Sequence, residues 1–100
     1  MAWFKVDDAF FTSHKVLSIP RDRRQEAIGA WLLIGTWSAH KMTDGVVPDY
    51  VLDDFGIKES SRVMLIEAGL WLATDDGIQY HDWAEYQPTK AQLEAKREET

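Results

Sequence analysis

The chain has 100 residues, enough for one hydrophobic core and too few for two. Apolar residues make up 45% and charged residues 28%, a balance that places the chain with folded domains and excludes a disordered one. Cysteine is absent, which removes disulfide frameworks, thiol nucleophiles and cysteine-ligated zinc and fits a reducing, cytoplasmic setting. The formal charge is −6, from 11 basic and 17 acidic residues; such a body repels phosphate, so nucleic-acid binding requires a local basic patch. No signal-peptide core is present at the N-terminus, and the longest apolar stretch, Ala27 to Trp37, is too short and too interrupted to span a bilayer. No membrane association is expected.

In chain order, Trp3 to Val6 reads as a short strand or extended lead-in, stopped by Asp7-Asp8. Ser13 to Ile19 reads as about one and a half helical turns that end before Pro20, because the residue preceding proline is pushed out of the helical region. Asp22 with Gln25 forms a capping-box pattern that opens a helix running from Arg23 to about Lys41. Ile28, Trp31, Leu32, Gly35 and Ala39 form one apolar stripe of this helix. Ala30, Leu33, Ile34 and Trp37 form a second beside it. A helix apolar around most of its girth is the central one of a domain, and Gly29 and Gly35 imply close approach of neighbouring elements.

Thr43-Asp44-Gly45 is a turn, and Val46-Val47 a strand of two or three residues. Pro48 to Phe55 makes a two-turn helix stopped by Gly56, and Lys58 or Glu59 to Ala68 the next, stopped by Gly69. Leu70 to Thr74 and Ile78 to Trp83 flank Asp75-Asp76-Gly77, a strong hairpin signal. After Tyr86 the chain becomes charged: Thr89 and Gln92 repeat the capping pattern, and residues 90–99 carry only Ala91, Leu93 and Ala95 as apolar side chains. The expected organisation is therefore a domain over residues 1–87 and a charged helical extension or linker over 88–100. Helix, short strand, helix, tight turn, helix, hairpin is the order of an α+β winged helix-turn-helix with a small antiparallel sheet.

A set of motifs strengthens that expectation. Trp3 to Asp8, Phe10 and Phe11, His14-Lys15-Val16, Gly29-Ala30-Trp31, Gly35 to Ala39, Thr43 to Pro48, Ala68 to Trp71 and the closing His81-Asp82-Trp83-Ala84-Glu85-Tyr86-Gln87-Pro88 resemble the N-terminal winged-helix module of actinobacterial and actinophage replication-initiator-like proteins of the DnaD or replisome-organiser type. The resemblance implies a phage or prophage protein that marks DNA for replisome assembly, or a regulator built on the same module. It also implies a charged linker leading to a further domain.

The basic residues of such a module would be Lys15, Arg21, Arg23 and Arg24 upstream of the long helix, with Lys58 and Arg62 at the recognition helix. If they merge into one patch they contact phosphates of double-stranded DNA, with Ser60 and Ser61 facing bases; the expected binding is weak and salt-sensitive. Otherwise the arginines form a solvated turn paired with Asp22, Glu26 or neighbouring acids. The alternative function is a protein-interaction adaptor. Ser61, Met64, Leu65 and Ala68 share one helix face and Glu59, Arg62, Val63 and Ile66 the opposite one, and only one can be buried. Val63 and Ile66, or an exposed Trp3, would then bind a second copy or a replisome or host protein, as the acidic wing tip Asp75-Asp76 favours. His81-Asp82 reads as a local hydrogen-bonded pair, and Trp31, Trp37, Trp71 and Trp83 as core. No nucleophile–base pair, phosphate loop or metal-ligand spacing is present, so no enzyme, cofactor or metal is expected.

Overall fold

Helix α2 (Arg24–Lys41) is the element on which the others pack in the computed structural model, which describes residues 3–99 and, beyond residue 97, backbone alone. Its buried residues are Ala27, Ala30, Trp31, Ile34, Gly35, Ser38 and Ala39, one continuous half of the cylinder at about 100° per residue. Leu32 and Leu33 point outward at 47% and 52% exposure, so the two stripes expected from periodicity reduce to one buried arc. The Asp22–Gln25 cap does not form. Arg23 occupies the N-cap position without a side-chain bond, and Arg24 instead donates to the carbonyls of Leu17 and Ile19 at 3.1 and 2.9 Å. That tie holds α1 (His14–Leu17) against the start of α2. The helix ends at Met42 with φ 59°.

Strand β1 (Val46–Pro48), helices α3 (Asp49–Asp54) and α4 (Glu59–Glu67), and the hairpin β2 (Trp71–Ala73) and β3 (Gly77–Tyr80) follow. The three strands form one antiparallel sheet in the order β1-β3-β2, with Val47 opposite Ile78 and Trp71 opposite Tyr80. All four are buried, the inward-facing set of a pleated sheet with one covered side. Gly77 is fixed by this register, because a Cβ there would overlap the Val47 carbonyl. Gly56 and Gly69 adopt φ of 69° and 85°, the left-handed stops after α3 and α4. The result is an α+β domain with a small antiparallel sheet. Among the described residues no helix is long and apolar enough to cross a membrane.

Of the two forms expected for residues 3–6, the extended lead-in is the one that forms. It is a strap whose backbone is held by a side chain: Gln87 accepts from the Lys5 N–H at 2.8 Å and donates to the Lys5 carbonyl at 2.6 Å. Phe4 descends from this strap onto Gly35, where any side chain would collide with its ring. Its centroid lies 5.0 Å from Trp31, 5.8 Å from Trp83 and 6.0 Å from Tyr80. Phe10 stacks on Trp31 at 4.6 Å. Beneath them the Tyr80 hydroxyl donates to the Trp31 carbonyl. Gly35 thus serves the expected close approach, whereas Gly29 has open space around it. The short helix α5 (Trp83–Tyr86) follows Asp82 at φ 60°. Helix α6 (Lys90–Glu99) begins with the reciprocal Thr89 and Gln92 bonds of a capping box, and its Lys90 N–H donates to Asp44 at 2.7 Å.

Two outcomes follow. Gln87→Ala is expected to cost about 1–2 kcal/mol in denaturant unfolding, since two hydrogen bonds are lost and Lys5 stays partly reachable by water. Burial pushes the Tyr80 phenol well above its ordinary value near 10.0, against a smaller opposing effect of Trp71. The folded chain therefore holds that proton more tightly than the unfolded chain, and stability falls as the pH rises above about 10. The fall measured by urea unfolding is expected to be shallower in Tyr80→Phe.

Candidate nucleic-acid and protein interface

Helix α4 has two faces of similar composition, and the depth of Leu65 decides between them. Leu65 and Ser61 are 0% and 1% exposed, with Met64 half-buried beside them. The opposite face carries exposed Glu59, Val63 and Glu67, with Arg62 and Ile66 half-buried. Ser61 is therefore not a base-contacting group: it faces the core and donates to Glu26 at 3.3 Å. Ser60 is half-buried at the start of the helix. Past the sheet, Asp75 and Asp76 are exposed at the hairpin tip.

Most of the cations expected to form a patch have partners within the fold. Arg62 bridges α4 to the sheet: one guanidinium nitrogen lies 2.7 Å from Asp49 and the other donates to the Gly77 carbonyl at 3.2 Å. Arg24 is held on the carbonyls of Leu17 and Ile19. Lys58 lies 3.6 Å from Glu26, which brings the first turns of α4 and α2 together with an acid between them. Lys15 lies 3.5 Å from Asp82 and 3.0 Å from the His81 ring, beyond the C-terminal end of β3, whereas Arg62 holds its N-terminal end. The six cations thus do not merge. Among the described residues only Arg21 and Arg23 of the set are exposed with no carboxylate within ion-pair distance.

His81 and Asp82 do pair locally, Nδ1 to carboxylate at 2.6 Å, and no group of three metal-ligating side chains occurs among the described residues. Trp31, Trp71 and Trp83 are buried, Trp37 is half-buried, and Trp3 is 71% exposed. Of the candidate partner-binding residues, Trp3 and Val63 are open and Ile66 is half-covered. The sequence reading missed the structural task of Arg62, because its partners lie 13 and 15 positions away on other elements. Gln87, 82 positions from Lys5, was equally out of reach.

Compared with protein-family models, curated proteins and solved structures, the chain matches none.

The ion pairs differ in weight. Lys58→Ala is expected to leave stability within about 0.5 kcal/mol, as for an exposed pair. Arg62→Ala removes a short ion pair and a carbonyl bond from a mostly covered guanidinium and is expected to cost about 1–2 kcal/mol. Thermal or urea unfolding of the two variants side by side checks both.

Proposed function

We propose that this chain is a winged helix-turn-helix module that works by contacting protein, within the kind of phage-type replication or regulatory protein its motifs resemble. The order of helices, the antiparallel sheet and the exposed outer face of α4 support the winged-helix assignment. The observation that carries the functional reading is the charge of that face. Val63 is 42% exposed between Glu59 and Glu67, while Arg62 is turned onto Asp49 and the hairpin tip adds Asp75 and Asp76. An acidic surface of this kind repels a phosphate backbone. It complements a partner segment that is apolar at its centre and basic at its rim. A second copy docking by the same face would oppose like charges, so a different protein is the better fit.

One observation favours a second reading, in which the module touches DNA by a non-recognition surface. Arg21 and Arg23 have no carboxylate partner among the described residues, and Lys58, paired with Glu26 in the first turn of α2, is 70% exposed; a phosphate displaces so weak a surface pair at little cost. The two readings separate in one titration. Fluorescence anisotropy with a labelled duplex at low salt is expected to give no saturable binding stronger than ~100 µM, the weak end of non-specific association. Saturable binding that disappears in Arg21→Glu/Arg23→Glu would transfer the function to DNA. On the first reading, partner capture is expected to fall about tenfold in Val63→Asp and to be unaffected by the arginine changes. Val63 is the residue to test because it is more open than Ile66.

A further inference from the structure

The N-terminal segment, from the strap at residues 3–6 to the 3-10 turn Phe10–Thr12, does not lie flat on the aromatic nucleus. Between Phe4 and Phe10, both anchored on Trp31, it arches over a cavity of about 480 Å³, a volume that suits a small organic ligand. The walls are apolar and mostly aromatic: Phe4, Phe10, Trp31, Leu70, Tyr80 and Trp83. The cavity opens to solvent between exposed Lys5, His14 and His81, and its walls offer ring edges to a flat apolar body.

The polar rim offers an anchor for a charged group on the occupant. Two ammonium groups, Lys5 and Lys15, border the cavity with His14 and His81, facing the two carboxylates of Asp7 and Asp82. Both acids are already engaged. Asp7 accepts from the Ala9 N–H at 2.7 Å, and Asp82 accepts from His81 at 2.6 Å with Lys15 at 3.5 Å. Donors remain. A lysine ammonium has three N–H groups, and Lys15 has only His81 and Asp82 within reach, so at least one N–H is left. The side chains of Lys5 and His14 have no hydrogen-bond or ion-pair partner among the described residues. Among the described residues, the Lys5 ammonium and the remaining Lys15 N–H are the cationic donors open to an anion.

We propose that this cavity binds a small planar aromatic carboxylate, its ring held among Phe10, Trp31 and Trp83 and its carboxylate on the Lys15 ammonium. Such a ligand links Phe10 and α1 to α2 and α5, alongside the contacts of Phe4 and the Gln87–Lys5 bonds. No residue of α4 lines the cavity, so the inference is independent of the proposed protein contact and its test leaves that reading untouched.

Three isosteric probes test it: 2-naphthoate, the neutral 2-naphthalenemethanol and the cationic 2-naphthylmethylammonium, each titrated into the whole chain by calorimetry. The expected result is one-to-one binding of naphthoate with a Kd on the order of 100 µM and at least a tenfold preference over the alcohol. Naphthoate protons should show nuclear Overhauser contacts to the Phe10 and Trp31 rings. Lys15→Met, a half-exposed change whose folding is checked by its melting temperature, should bring naphthoate down to the affinity of the alcohol and leave the alcohol unaltered. No binding of any probe, or contacts elsewhere on the surface, would overturn the site. Equal binding of the alcohol, or tighter binding of the ammonium, would overturn the carboxylate assignment.

Discussion

The Tyr80 hydroxyl bonded to the Trp31 carbonyl is the contact on which the rest of the structure depends. A phenol buried to this extent is costly without a partner, and the partner is a main-chain atom of α2. The bond therefore sets the height and register of β3 against the central helix. Around it the rings of Phe4, Phe10, Trp31, Trp71 and Trp83 converge at centroid distances of 4.6 to 6.1 Å. Strap, helix, hairpin and α5 each contribute to one aromatic junction. In a chain this short, with few residues to cover a core, a nucleus of large rings supplies the buried area that a longer chain draws from aliphatic layers.

The position of β3 in turn settles the fate of the cations. With Gly77 pressed on β1, the hairpin base lies within reach of Arg62, and Asp49 at the start of α3 completes the clamp. Lys15 is drawn to His81 and Asp82 at the other end of the same strand. An acidic domain that uses its arginines and lysines to join its own elements leaves its outer helix face negative. The proposed preference for protein over nucleic acid follows from that use of charge more than from the helix-strand order, which serves both tasks.

Legibility in the sequence divided by range. The long helix, the Asp-Gly hairpin, the glycine stops after α3 and α4 and the Thr89–Gln92 cap are local signals and were readable, because each rests on residues within a few positions of one another. For the strap, aromatic and β-branched residues left a strand and an extended lead-in both open, and the glutamine that anchors the extended form lies at the far end of the domain. The Asp22 cap was overridden when Arg24 turned back onto the α1 carbonyls. Gly29 and Gly35 look alike in sequence, yet only Gly35 has Phe4 above it. For α4, two nearly equivalent faces left Ser61 and Val63 undecided until Leu65 was seen at the core. The partners that occupy Arg24, Lys58, Ser61 and Arg62 all lie outside their own elements, which periodicity does not encode.

The claim that one aromatic junction unites strap, α2 and β3 is tested most directly by native-state amide hydrogen exchange on Phe4→Ala. Loss of the ring is expected to lower the protection of the central α2 and β3 amides together by about 2–3 kcal/mol, along with the strap. If only the strap amides lose protection while those of Ile34, Gly35 and Tyr80 keep theirs, the strap is an accessory layer and the account of the junction is wrong.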